Sequence, residues 1–123
     1  MIDTTRIFRF QNIEREPTGA VRGEWMVPDD LPYLQGHFPG HPVLPAVAIV
    51  DGSLEFLRAS GLVVSDVDLV LKRAKFMALI LPGMRVRLQA QPKAENRWDI
   101  DWSNGDAWPR AKFESMCSLS FVL

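Results

Sequence analysis

The chain has few of the features that mark secreted, membrane-spanning or nucleic-acid-binding proteins. Its one cysteine, Cys117, cannot form a disulfide within the chain, which fits a reducing cytoplasm. A formal net charge of −1 provides no basic excess for nucleic-acid binding. The longest nearly uncharged stretch, residues 36–50, contains two histidines and three prolines, so it does not predict a membrane span. We therefore expect a cytoplasmic protein that binds neither membrane nor nucleic acid.

The chain does contain enough apolar sequence for one core. Its 123 residues are 47% hydrophobic and 24% charged, which is ordinary for a globular domain. No repeat, low-complexity run or linker divides it, and this length leaves no room for a separate cofactor domain. We expect residues 1–123 to form a single domain.

One helix is predicted, over residues 46–60. Pro45 suits the first turn of a helix, and Gly61 suits the position just beyond its C-terminal end. Apolar residues recur at helical spacing and also occupy other faces, so we expect a helix that is buried on most sides. The residues at helical spacing are Val47, Val50, Leu54 and Leu57.

Strands are predicted on both sides of this helix. A loop over residues 28–45 precedes the helix, and its five prolines and two glycines exclude regular structure there. Two strands, one helix and then about four strands form an α+β pattern. The predicted strands cover residues 7–14, 21–27, 66–78, 84–91, 97–102 and 112–122.

Both histidines of the chain, His37 and His41, lie within five residues of each other in that loop. A zinc-protease site with this spacing needs a helix and a glutamate after the first histidine. Phe38 takes the place of the glutamate, and the surrounding prolines exclude the helix. We therefore expect no metal site. Taken alone, a histidine such as His37 is more often a loop residue held by hydrogen bonds than a catalytic base.

Asp51 follows His37 by fourteen positions and lies inside the predicted apolar helix. A buried carboxylate without a partner costs several kcal/mol, so Asp51 needs either a partner or a chemical role. An ion pair with an arginine of a neighbouring strand would supply the partner. Action as a general acid would supply the role.

Residues 35–46, with the sequence QGHFPGHPVLPA, resemble the signature of the bacterial 3-hydroxyacyl-(acyl carrier protein) dehydratases. In that family a catalytic glutamate or aspartate follows the histidine by fourteen positions, where Asp51 stands. The aspartate is similar to the dehydratase–isomerase branch, whereas the loop looks more like the general elongation branch. The resemblance implies a hotdog fold, in which a curved antiparallel sheet wraps around one long central helix.

The resemblance also implies a site shared between two subunits that pair edge to edge, as a homodimer or a heterodimer. His37 would remove the proton next to the thioester carbonyl, and Asp51 of the partner subunit would protonate the departing 3-hydroxyl. The backbone N–H of Ala46, at the helix start, would bind the thioester oxygen. The reaction would need no metal or redox cofactor. Substrate contacts implied by the resemblance are Phe38, Gly40, Pro45, Glu55 and Phe76.

The acyl chain would need an apolar tunnel, and its acidic acyl carrier protein would need a basic patch. Candidates for the tunnel lie at the end of the predicted strand at residues 66–78 and just beyond it, although apolar residues of this kind more often form core. The basic candidates are as consistent with a solvated sheet face. The tunnel candidates are Phe76, Met77, Leu79, Ile80 and Leu81. The patch candidates are Lys72, Arg73, Lys75, Arg85 and Arg87.

The chain departs from the family pattern at three positions. Ala46 replaces a glycine, Gly52 replaces an alanine at a cost of about 1 kcal/mol in helix propensity, and Glu55 replaces a glutamine. The altered helix looks like that of dehydratases from aryl-polyene pathways. The departures also leave open a non-catalytic hotdog subunit that binds acyl chains or completes a heterodimer. An acyl thioesterase of the same fold is a third alternative.

Overall fold

The computed structural model describes residues 4–34, 43–62, 69–93, 96–105 and 115–122. Two helices, a short 3-10 helix and six strands make up these segments. In chain order they are α1 (Thr4–Ile7), β1 (Gln11–Arg15), β2 (Val21–Met26), the 3-10 helix (Pro32–Leu34), α2 (Ala46–Ala59), β3 (Val70–Phe76), β4 (Arg85–Lys93), β5 (Arg97–Asn104) and β6 (Ser115–Val122).

The six strands form one antiparallel sheet in the order β1-β2-β4-β5-β6-β3. This arrangement matches the predicted α+β architecture. The first predicted strand is partly wrong, because Ile7 belongs to α1 and β1 begins only at Gln11. Within the described residues, no helix is long and apolar enough to cross a membrane.

Helix α2 has the predicted bounds to within one residue. Pro45, with φ of −74° and ψ of 160°, precedes its first residue. Gly61 ends it with a φ of +73°, a left-handed conformation that glycine adopts without strain. The N–H of Leu62 then donates to the carbonyl of Leu57 at 3.0 Å. Local sequence therefore determined where this helix begins and ends.

The buried face of α2 differs from the one predicted. Of the four apolar residues at helical spacing, only Leu57 is fully buried, and Val47 is 57% exposed. The buried face instead contains small residues and large ones side by side, because a sheet covers it closely. Its members are Ala48, Ile49, Gly52, Ser53, Glu55, Phe56 and Leu57.

Gly52 allows this close approach. A Cβ atom at this position would lie 2.7 Å from Cε1 of Phe8 and 3.0 Å from Cη2 of Trp102. Both distances are shorter than van der Waals contact, so any side chain would push the helix away from its neighbours. The helix propensity lost at Gly52 is thus offset by packing that no other residue allows.

Replacing Gly52 with alanine should lower stability although alanine favours helix. The gain of about 1 kcal/mol in propensity is outweighed by overpacking of about 1–3 kcal/mol. We expect a net loss of about 1 kcal/mol in the free energy of unfolding, measured by urea denaturation. In a Phe8→Leu background, which removes the nearest ring atom, the cost of Gly52→Ala should fall by at least half. Equal costs in both backgrounds would contradict this account.

Candidate active site

Asp51 lies in the second turn of α2 and is half-buried. The hydroxyl of Tyr33 donates a hydrogen bond to its Oδ2 atom at 2.7 Å. Among the described residues, no arginine lies within ion-pair distance of Asp51, so the predicted alternative of an arginine partner does not hold there. The aspartate inside the helix is therefore partnered by a neutral donor.

Tyr33 reaches Asp51 from the 3-10 helix that precedes the His37 loop. The side chain is only 6% exposed, and its ring packs against Phe8 with centroids 6.1 Å apart. Burial, and next the hydrogen bond and charge of Asp51, raise the pKa of Tyr33 well above its ordinary value. The phenol therefore remains protonated and remains a donor throughout the physiological pH range.

The residues predicted to contribute most directly to chemistry, His37, Phe38 and Gly40, lie outside the described residues. The absence of a metal site at His37 and His41 likewise remains a prediction. The described residues on either side of the loop are tied to the fold. Tyr33 is bonded to α2, and the N–H of Leu44 donates to the carbonyl of Ile80 at 2.8 Å.

Ala46 is the first residue of α2, as predicted, and it is exposed. The N–H groups of Ala48 and Ile49 donate to the carbonyl of Pro45, at 3.0 and 3.3 Å. The N–H groups of Ala46 and Val47 precede the first such bond, and no side chain of the described residues caps them. The geometry fits a backbone donor at Ala46, whose catalytic role remains a prediction.

Glu55 is buried, with 7% of its surface exposed. Its carboxylate lies 3.9 Å from Nη1 of Arg58, one turn further along α2. The side chain of Glu55 therefore does not point into solvent. Its predicted contact with substrate is not tested by this geometry.

Four of the five apolar tunnel candidates at the end of β3 and beyond it do not form core, which was the more frequent expectation for such residues. Ile80 is buried, whereas Phe76, Met77, Leu79 and Leu81 are exposed, Phe76 by 44%. Every residue of β3 is also exposed, on both faces of the strand. This end of the sheet therefore presents an uncovered apolar surface next to an edge strand.

The five cations predicted to receive a carrier protein do not form one continuous patch. Three lie on β3 and two on β4, and strands β5 and β6 lie between β3 and β4 in the sheet. The three on β3 line an open groove of about 730 Å³ that Asp99 and Asp101 also line. The five are Lys72, Arg73 and Lys75 on β3, and Arg85 and Arg87 on β4.

Comparison with known proteins identifies the family. A model of the ApeI-like dehydratases, described as ApeI dehydratase, matches residues 12–113. This chain belongs to the ApeI-like dehydratase family. It is 31% identical over 120 residues to the 3-hydroxyacyl-acyl-carrier-protein dehydratase FabZ of Campylobacter curvus, an alignment that covers 84% of this chain and 81% of that protein. The FabZ of Geotalea uraniireducens is 31% identical over 98 residues, covering 72% and 68%.

Solved structures place the fold in the same group. The dehydratase heterocomplex ApeI:P from Xenorhabdus doucetiae superposes with a TM-score of 0.75 at 15% identity, covering 94% of this chain and 96% of that one.

Alignments with three further FabZ proteins span only 58–59% of their length. The predicted family, hotdog fold and dehydratase activity are confirmed, and the ApeI-like match agrees with the aryl-polyene type.

Sequence reasoning missed Tyr33. The chain has a single tyrosine, which stands two residues before the motif at residues 35–46. The need of Asp51 for a buried donor was the signal that could have identified it. A phenol can partner a carboxylate as an arginine can, because its O–H donates a hydrogen bond.

The raised pKa of Tyr33 can be measured directly, because no second tyrosine contributes to the tyrosinate absorption band. In an alkaline titration this band should stay absent near pH of about 10, where free tyrosine ionises. Asp51→Asn should lower the midpoint, since it removes the negative charge and leaves the burial. The stabilisation that comes from keeping the phenol neutral is complete below the ordinary tyrosine pKa of about 10. It is lost as the pH rises through the raised pKa of Tyr33 in the folded protein. Equal midpoints near the ordinary value in both proteins would contradict the contact.

Proposed function

We propose that this chain removes water from 3-hydroxyacyl thioesters carried on an acyl carrier protein and forms trans-2-enoyl thioesters. The observation that supports it most directly is the carboxyl group of Asp51, placed in α2 at the family spacing from His37 and held by Tyr33. A carboxyl group in this setting can give a proton to a leaving hydroxyl, which then departs as water.

His37 is proposed as the base. A neutral imidazole accepts a proton near physiological pH, which suits removal of the weakly acidic proton next to the thioester carbonyl. The electron pair of that C–H bond forms the new double bond as the C–O bond at the third carbon breaks. The substrate thus loses one proton, which His37 accepts, and one hydroxide. Asp51 protonates the hydroxide, so that it leaves as water.

The thioester oxygen gains negative charge while the proton is removed, and a preorganised donor stabilises that charge. We assign this donor to the backbone N–H of Ala46, at the uncapped start of α2. Its methyl group replaces the hydrogen of the family glycine. Because Ala46 is exposed, this methyl is available to contact substrate and to narrow the range of acyl groups accepted.

A second hotdog subunit is part of the proposal. Strand β3 forms one edge of the sheet, and an exposed edge strand is a site for pairing with another chain. The apolar side chains of Val70 and Leu71 are exposed along it. The ApeI:P structure is a heterocomplex, which supports a partner of the same fold, identical or not. The carrier protein would then bind near the cations of β3. We expect the assembly to be cytoplasmic.

The structure accounts for one of the departures that suggested a non-catalytic subunit and does not account for another. Gly52 is explained by packing against Phe8 and Trp102, so it is no sign of a degenerate site. Glu55, buried near the acid, still has no catalytic explanation. For the thioesterase alternative, Cys117 offers no nucleophile, because burial raises the pKa of its thiol to about 11.

Turnover of carrier-bound 3-hydroxyacyl chains, including aryl-conjugated ones, tests this function. His37→Ala and Asp51→Asn should each lower kcat by about 100-fold or more, since each removes one proton-transfer group. His41→Ala and Asp29→Asn serve as matched controls and should keep wild-type turnover. Absence of enoyl product with every substrate, beside an active family enzyme, would refute the dehydratase. Release of free thiol would indicate the thioesterase instead.

Pairing through β3 should be sensitive to charge. Leu71→Glu is expected to convert a dimer into a monomer in light scattering and to remove turnover, because the site needs two subunits. Met26→Glu places the same charge on a similarly exposed apolar residue of β2, away from this edge, and should change neither. A Leu71→Glu protein that stays dimeric and active would exclude β3 as the interface.

A further inference from the structure

The contact between Tyr33 and Asp51 has a consequence for the reaction itself. The hydroxyl of Tyr33 lies 2.7 Å from Oδ2 of Asp51, the short distance typical of an O–H donor on a carboxylate. The phenol keeps its own proton and donates it to Oδ2. Because Oδ2 is occupied as an acceptor, a proton carried by the carboxyl group resides on Oδ1.

We infer that Tyr33 is a positioning residue for the dehydration, holding Oδ2 of Asp51 so that Oδ1 delivers the proton to the departing hydroxyl. The inference rests on the proposed function. As the proton leaves Oδ1, the carboxyl group becomes a carboxylate. The hydrogen bond from Tyr33 strengthens with that charge and therefore stabilises the transition state more than the bound substrate.

The surroundings of Tyr33 make it a rigid support. Its ring packs against Phe8, and the ring of Phe8 lies 4.8 Å from that of Trp25. The indole N–H of Trp25 in turn donates to the carbonyl of Ile7 at 3.3 Å, which fixes the backbone next to Phe8. Gly52, adjacent to the acid, receives the edge of the same Phe8 ring. The side chain of Phe8 thus fixes the positions of both α2 and the phenol of Tyr33.

Tyr33→Phe keeps the ring and removes only the hydroxyl. We expect kcat for 3-hydroxyacyl substrate to fall about 10- to 100-fold, the usual effect of losing one hydrogen bond to a developing charge. KM should change by less than about threefold, because the contact acts on the acid and not on the substrate. The melting temperature should stay within a few degrees, as Phe fills the same space.

A second substrate separates positioning of the acid from a general structural effect. In a 3-acetoxyacyl thioester the leaving group departs as acetate and needs no proton from Asp51. Elimination of acetate should therefore change by less than about threefold in Tyr33→Phe and in Asp51→Asn. His37→Ala should abolish elimination from both substrates, because both need the base.

Ser53→Ala is the matched control for losing a buried hydroxyl. Ser53 lies on the same helix, where it accepts a bond from the Trp102 indole and donates to the carbonyl of Ile49, away from the acid. It should lower stability without changing the ratio of the two elimination rates.

Each outcome decides between the two claims. Equal losses with both substrates in Tyr33→Phe, or no loss with either, would overturn the role of Tyr33 and leave the dehydratase intact. A wild-type protein that eliminates neither water nor acetate would overturn the proposed function, and the role of Tyr33 with it.

Discussion

Helix α2 packs so closely against its neighbours that position 52 has no room for a side chain. The ring of Phe8 approaches it from the N-terminal segment, and the indole of Trp102 approaches it from β5. Trp102 also donates to the hydroxyl of Ser53 at 2.9 Å, which fixes the helix along its axis. The apolar contacts of Gly52 and the hydrogen bond of Ser53 therefore fix α2 in one position. The side chains of α2, including Asp51, are fixed with it.

Asp51 is held in a fixed position because the next residue, Gly52, is where α2 packs most closely. A carboxylate on a mobile helix would lose proton-transfer geometry, since reacting atoms must lie within hydrogen-bond reach. Close packing also creates the energetic demand that Tyr33 meets, because a half-buried carboxylate needs a donor. The same aromatic ring, that of Phe8, borders Gly52 and supports Tyr33. The core and the acid are consequently one structural unit.

Local chemistry made part of this predictable. Pro45 and Gly61 determine the ends of α2 through backbone conformation alone. The buried face of the helix was not predictable in the same way, because hydrophobic spacing does not reveal that the closest contact of α2, with Phe8 and Trp102, needs a residue without a side chain, Gly52, while Val47 stays exposed. Tyr33 was missed for a related reason, since its pairing with Asp51 joins two elements eighteen residues apart.

The described residues on the two sides of the His37 loop are tied to different parts of the fold. The residues flanking the loop of His37 are Leu34, next to the phenol that binds Asp51, and Val43, next to the Leu44 amide that binds Ile80. One side of the loop is thus tied to the helix and the other to the segment that follows the edge strand β3. If subunits pair through β3, the second anchor lies beside the interface. Because the resemblance implies that the acid acting with His37 comes from the partner subunit, a change of partner would replace that acid and alter the surroundings of the second anchor together, which gives a heteromeric assembly a physical means of tuning this chemistry.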